Sequence, residues 1–367
     1  MSINTQVTNL FWKNMIRLTE NQSTTLETLR AISAVIVVIA HSFQIFISGY
    51  HPKEFYYAGL FAQASVMMFF VLSGLLIGLS INNNISRNSG YFDALSYAKS
   101  RLIRIYPPLI VSLIITIMLS FTVIYLFGVN SGYSSPHKYL QGHNFFFEAK
   151  EYLATITFTN MFTYRQVASN GALWSLPFEA WLYFFAGMIM LRTWMSVSIG
   201  IVLLILLSNA NQNFIVFASV WGLSFALSPL AFSGSRIKAL ITIALSSISA
   251  LIYFKLWNLS GISQKNDLYL YATLGFSFIS IICLIMQLDV KIKVLYSIAR
   301  SSYTLYLLHY PIIYFFSFLI WRLNINTKEA HHIAFFLCPV AVVIFSHLIA
   351  RFSENKEAFL SAMCGRH

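Results

Sequence analysis

The sequence predicts an all-α integral membrane protein, a bundle of about ten transmembrane helices with both termini cytoplasmic, and three observations support this. The chain is 57% hydrophobic and only 10% charged, with a mean hydropathy of +0.68 over 367 residues. That leaves too little polar surface to cover a water-soluble fold of this length. Apolar runs of about twenty residues recur along the whole chain, the length at which a helix crosses a bilayer with its backbone internally satisfied; a β-barrel would show short alternating segments instead. Of the 24 Lys and Arg residues, sixteen fall inside and eight outside when the N-terminus is cytoplasmic, which follows the positive-inside bias.

Bounded by polar turns, the expected spans are 31–50, 58–81, 107–128, 171–191, 195–208, 214–232, 237–254, 269–288, 303–322 and 333–350. The run from Leu29 to Tyr50 has no small-residue cleavage site after it and reads as a retained span. The fifth span is short and ends in SNANQN, so the hairpin it forms with the sixth is expected to be partly interfacial. The longest exterior stretch, 129–170, contains EYLATITFTNMF and is expected to form a re-entrant or surface-lying element. Residues 1–23 and 355–367 read as cytoplasmic end segments around one transmembrane domain, 24–354. The net charge of +12 has no basic cluster with interleaved aromatics behind it, so topology explains it better than nucleic acid does. Cys283, Cys338 and Cys364 are scattered without metal-ligand spacing. His331 and His332 read as solvated loop residues, and no metal site is expected.

Ionisable groups inside the spans point to chemistry, because hydrocarbon disfavours them unless they have a use. Arg30 and His41 are eleven positions apart at the start of the first apolar run. Eleven helical steps bring both side chains to nearly one face, ~16 Å apart, so an Arg30 at the membrane boundary places His41 near the midplane. Glu179 is the one acid of twelve well inside a span and needs protonation or hydrogen-bond donors. In NGALWSLPFEAWLYF, Ser175 and Glu179 are i and i+4, with Trp174 beside them and Pro177 permitting a break. Ser302, Tyr306 and His309 follow i, i+4, i+7 spacing, with Tyr303 adjacent. A shared interior cavity would satisfy His41, Glu179, Tyr306 and His309 together. In SRLIRIYPP, Arg101 and Arg104 are i and i+3, ahead of Pro107 and Pro108, which are expected to open a new helix. With Arg30 they would make a phosphate-binding cluster suited to an acyl-CoA or a nucleotide. Plainer roles stay open: the arginines as headgroup anchors, Glu179 as an interhelical hydrogen-bond partner, His309 and His347 as packing donors, and Ser73–Gly74 as a close helix contact.

Taken in order, LRAISAVIVVIAHS, MFFVLSGLLIG, RLIRIYPP, ALWSLPFEAWLYF and SSYTLYLLHYPI resemble the acyltransferase 3 family of polytopic membrane acyltransferases, over roughly residues 24–354. The family's Arg and His signature falls on Arg30 and His41, and its paired-arginine signature on Arg101 and Arg104. Its Trp-Ser-Leu and Glu region falls on Trp174, Ser175 and Glu179, with Pro177 and Ala180 departing from the commoner wording. Ser302, Tyr303, Tyr306 and His309 match its Ser-Tyr and His-Pro region, with Tyr310 intervening before Pro311.

The resemblance implies transfer of an acyl group, commonly acetyl from cytoplasmic acetyl-CoA, to a hydroxyl of a cell-surface carbohydrate or lipid-linked saccharide in a bacterial cytoplasmic membrane. On that reading His41 is general base or acyl carrier, Glu179 orients or charges it, and Arg30, Arg101 and Arg104 hold the CoA phosphates. The alternative is a secondary transporter or glycan flippase using His41 and Glu179 as a proton relay. The acceptor, the acyl group and the oligomeric state are not written in the sequence.

Overall fold

A computed structural model describes residues 15–127, 145, 147–260, 267–325 and 327–354. The expected end segments at 1–14 and 355–367, most of the exterior stretch before residue 147, and Cys364 lie outside them. Among the described residues the structure is helical, apart from one isolated bridge between Asn160 and Tyr164. In chain order the helices are α1 (Glu20–Ser42), α2 (Phe55–Arg87), α3 (Ala94–Phe127), α4 (Ala149–Ile156), α5 (Leu176–Met190), α6 (Trp194–Ala210) and α7 (Asn213–Ala231). They continue with α8 (Arg236–Ser260), α9 (Asp267–Leu288), α10 (Tyr296–Ala299), α11 (Ser302–Arg322) and α12 (Lys328–Ser353). Nine helical segments among the described residues are long and apolar enough to cross a membrane, and the shorter apolar α6 is a tenth hydrophobic element. Its 17 residues span about 25 Å, short of the ~30 Å hydrocarbon core, as the fifth run suggested.

Three helices begin earlier than hydropathy alone indicates, and each has a cap at its start. Thr19 and Gln22 form a reciprocal capping box, with Gln22 N donating to Thr19 Oγ1 and Thr19 N donating to Gln22 Oε1, both at 3.1 Å. Helix α1 therefore starts at Glu20, a turn and more ahead of the apolar run. Asp93 caps α3 by accepting from Ser96 N at 3.0 Å. This corrects the expectation that Pro107 and Pro108 open a helix: both lie inside α3, and Arg101 and Arg104 are already helical. The third, α12, starts at Lys328 behind a Thr327 cap, so His331 is no loop residue. It is buried, with its Nδ1 2.9 Å from Thr327 O and its ring against Tyr50 and Phe46.

Backbone contacts divide the chain into two compact units, Met1–Arg30 with Val66–Arg101 and Phe178–Val294, and Ala31–Ser65 with Leu102–Pro177 and Leu295–His367. In the first, the N-terminal part of α1 is held by Thr25 and Thr28 hydroxyls donating to the carbonyls of Val290 and Ile292 at 2.7 and 2.8 Å. Small residues set the contact between α2 and α7. A Cβ on Gly74 would stand 2.6 Å from Trp221 O and 2.7 Å from Ser224 Cβ, and one on Gly78 would stand 2.5 Å from Ser228 Cβ. Two glycines four apart let the backbones meet, and Ser228 Oγ donates to Leu75 O at 2.7 Å. Gly74→Ala should therefore destabilise the protein by about 1–3 kcal/mol through overpacking, despite alanine's better helix propensity. Gly222→Ala, where a Cβ meets nothing within 4 Å, should be neutral or stabilising. Thermal unfolding of the two variants in one detergent checks the difference.

In the second unit a proline in α11 sets the polar packing. Pro311 has no N–H, so the carbonyl of Leu307 lacks its usual helical donor. Ser112 Oγ and Asn170 Nδ2 donate to it instead, at 2.9 and 3.0 Å, the substitution that buried transmembrane backbone requires. Outside the spans, α4 fixes the following loop through Glu151. Its buried carboxylate accepts from Arg165 Nε at 2.6 Å and Ala168 N at 3.0 Å. Burial raises the Glu151 pKa, whereas hydrogen bonding from Tyr164, helped by Arg165, lowers that of Glu148.

Candidate functional site

Two polar clusters carry the sequence-predicted residues, each within its own unit. The first forms around His41, in the last turn of α1, where the helix passes into a π-helical turn, Phe43–Ile47. Such turns occur frequently at functional sites, because the extra residue re-aims side chains. Here Gln44 reaches back, and its Oε1 lies 2.9 Å from His41 Nδ1. An amide oxygen can only accept, so His41 carries its proton on Nδ1 and, when neutral, presents a lone pair on Nε2. Gln44 itself is buried at 4% exposure, whereas His41 is half-buried.

His309, on α11, stacks on His41 with ring centroids 5.3 Å apart and planes 22° from parallel. Its Nδ1 lies 2.6 Å from Tyr306 O. A carbonyl also only accepts, so this ring too has its proton on Nδ1 and its lone pair on Nε2, a buried atom without a hydrogen-bond partner among the described residues. Tyr310 meets His41 edge-on at 5.6 Å. Gly171, in the 3-10 turn Gly171–Trp174, leaves room for that tyrosine: a Cβ there would stand 3.0 Å from its ring. Ser175 Oγ and Tyr306 Oη are 2.8 Å apart. Ser302 is buried on the same helix, with Tyr303 next to it.

The second cluster forms around Glu179 in the first turn of α5. Tyr183, one turn on, donates to Glu179 Oε1. Ser73 Oγ on α2 lies 3.1 Å from both Glu179 Oε1 and Tyr183 Oη, and accepts from Trp221 Nε1 on α7 at 3.2 Å. Donors thus supply what a carboxyl group in a span requires. Arg101 belongs to the same neighbourhood: its guanidinium sits over the Tyr97 and Tyr183 rings at 5.7 and 5.9 Å from their centroids. It also donates to Ser100 and Ser80 at 3.1 and 3.3 Å. Tyr183 therefore links a predicted arginine to the predicted acid.

The structure thus brings together His41, Ser175, Tyr306 and His309 in one cluster, and Glu179 with Arg101 in the other. Ser175 and Glu179, at i and i+4, take different hydrogen-bond partners. Ser175 follows the 3-10 turn, ahead of α5, and bonds to Tyr306, whereas Glu179 bonds to Ser73 and Tyr183. Trp174 ends the 3-10 turn and is half-buried, Arg30 is half-buried on α1, and Arg104 is exposed on α3. Among the described residues no group of three or more His, Cys, Asp or Glu side chains could hold a metal ion.

Several participants escaped the sequence reading. Gln44 had a signal in hindsight, a lone amide in the apolar run FQIFI. Ser73 was read only as half of a close contact, and Trp221 and Tyr183 look like two more aromatics in a chain that is 16% aromatic.

Against known proteins, a family model described as an acyltransferase domain matches residues 24–351. No curated protein and no solved structure matches the chain. The matched span carries both polar clusters and nearly the whole helical array, and the chain belongs to the acyltransferase 3 family as a multi-pass membrane acyltransferase.

Proposed function

We propose that this membrane acyltransferase moves an acetyl group from acetyl-CoA to a hydroxyl of a carbohydrate acceptor, with His41 as general base. The supporting observation is the Gln44–His41 hydrogen bond, which favours the tautomer with the proton on Nδ1 and the lone pair on Nε2. The acceptor hydroxyl gives its proton to Nε2 as its oxygen attacks the thioester carbonyl. The carbon–sulfur bond then breaks, and the imidazolium returns the proton to the departing thiolate, so that free CoA and the ester leave together. In the imidazolium state the Nδ1–H···Oε1 bond becomes charge-assisted and strengthens, stabilising the charge that develops during transfer. His309 buttresses the ring as a stacked neighbour.

Arg30, Arg101 and Arg104 bind the phosphates of the donor at the cytoplasmic face, a role their charge and the family's paired-arginine signature support. We read both termini as cytoplasmic, which the bias of Lys and Arg supports, and the membrane as a bacterial inner membrane, which the family resemblance implies. Arg104→Ala should raise the KM for acetyl-CoA by about tenfold or more, the loss of one charge-assisted contact, with kcat little changed. An unaltered KM would return Arg104 to a headgroup anchor. The test of the whole reading is purified protein in liposomes, given acetyl-CoA and glycoside acceptors and followed by mass spectrometry. An added acetyl mass on the acceptor is expected, and proton-coupled glycoside uptake without acetylation would replace this reading with transport.

A further inference from the structure

His309 carries an acceptor that the protein itself does not fill. Its side chain is fully buried, at 0% exposure, and Nε2 has no hydrogen-bond partner among the described residues. Buried polar atoms are almost always paired, so one that is not calls for a partner from outside the fold. Tyr306 does not supply it: although its ring lies 5.7 Å from the imidazole, its hydroxyl pairs with Ser175 Oγ, 2.8 Å away. The direction of the lone pair follows from the other nitrogen. Nδ1 turns back to its own helix, 2.6 Å from Tyr306 O, and the two nitrogens of an imidazole point away from one another, so Nε2 faces off that backbone. His41 covers one face of the ring, with centroids 5.3 Å apart and planes 22° from parallel. Gln44 Oε1 holds His41 in the same way, at Nδ1. Two stacked imidazoles therefore each commit an N–H to a protein oxygen, and each keeps a lone pair on Nε2. His41 is half-buried and His309 buried, so the pair runs from an accessible base to an enclosed acceptor.

We propose that His309 is a specificity-determining residue: its Nε2 accepts a hydrogen bond from a second hydroxyl of the acceptor, on the carbon next to the one whose hydroxyl gives its proton to His41. The inference rests on the acyl-transfer reading with His41 as base, and it adds a rule about position, that the hydroxyl to be acylated needs a free neighbour. Spacing fits adjacent carbons. Two such hydroxyls lie about 3 Å apart, and with a hydrogen bond of about 2.8 Å at each end they bridge the lone pairs of rings stacked at this distance. Chemistry excludes the acceptor-only groups of the donor, because a thioester carbonyl or a CoA phosphate would set lone pair against lone pair. The second hydroxyl stays a hydroxyl throughout, donating to Nε2 before and after the transfer. Its part is to hold the first one in place against His41.

The probes are the methyl glycosides of glucose, galactose and mannose with their monodeoxy and mono-O-methyl derivatives, given with acetyl-CoA to the full-length protein in liposomes. Mass spectrometry locates the acetylated position. Acetylation is expected on a ring hydroxyl that has a neighbour, and removing or methylating that neighbour should lower kcat/KM by about tenfold, the loss of one buried hydrogen bond. In His309→Phe, which keeps a ring against His41 but has no lone pair, the ratio between parent and deoxy glycoside should fall from about ten to about one. That coupling between a change in the protein and a change in the substrate is the signature of direct contact. His309→Gln, whose amide oxygen can accept, should keep much of the ratio, and His309→Leu takes the place of His309→Phe should that variant fail to insert. A purely structural His309 would slow parent and deoxy glycoside alike and leave the ratio at ten, which would overturn the proposal. So would acetylation confined to the exocyclic primary hydroxyl, whose neighbouring carbon bears none, or a wild-type ratio of one, which would leave Nε2 to a buried water. A raised KM for acetyl-CoA in His309→Phe with the ratio intact would give the atom to an amide N–H of the donor and overturn it as well. The acyl-transfer reading fails separately, if the wild type acetylates no glycoside at all.

Discussion

Replacing His41 with alanine or glutamine is expected to lower acetyl transfer by about three orders of magnitude, the middle to upper part of what a positioned general base contributes. The loss should appear in kcat rather than in the KM for acetyl-CoA, because the imidazole acts on the proton in flight and not on the resting donor. Glutamine and alanine separate chemistry from packing. Alanine also removes the stacked partner of His309 and the edge contact with Tyr310, worth about 0.5–1.5 kcal/mol for each ring pair, so His41→Ala should unfold at a lower temperature. Glutamine preserves more of the volume and should unfold nearer to wild type while remaining as inactive. Residual transfer within tenfold of wild type in a correctly inserted His41→Gln protein would remove His41 from the reaction.

His41 was legible because hydrocarbon disfavours a titratable group, and the helical repeat gives such a group a face and a depth. The same logic found Glu179. It could not find the residues that hold them, since those act through geometry that hydropathy does not encode. Gln44 reaches His41 only because the chain leaves α-helical winding in the Phe43–Ile47 turn. Ser73 and Trp221 reach the Glu179 cluster only because Gly74 lets two backbones come together. Helix starts failed for a related reason. The Thr19–Gln22 and Asp93 caps are short-range polar signals outside the apolar windows, so the windows overlooked the first turns of α1 and α3. Proline misled at one place and not at another. Pro107 and Pro108 have the form of a helix start yet lie inside α3, whereas Pro311 falls within an expected span that is one helix, sustained by Ser112 and Asn170. The polar atoms that stand in for a missing N–H come from elsewhere in the chain, beyond the reach of a local reading.

Gln44 offers the stricter test of the proposed chemistry, because it touches the base and not the reacting atoms. Gln44→Leu preserves an apolar volume but leaves Nδ1–H of His41 without its acceptor, so the ring is free to move its proton to Nε2 and lose its function as a base. About a hundredfold loss of kcat is expected, with the KM for acetyl-CoA unchanged, which marks a positioning role. Gln44→Glu keeps an oxygen at the same reach and should restore much of the turnover. Its carboxylate accepts from Nδ1–H as the amide does and pairs with the imidazolium that forms during transfer. A purely structural Gln44 predicts the opposite pairing: Gln44→Leu, the better match to an apolar surrounding, would be the milder change in turnover. Recovery by glutamate but not by leucine would tie the rate to the proton on Nδ1. Wild-type kcat in Gln44→Leu would mean that the reaction does not depend on which nitrogen of His41 carries it.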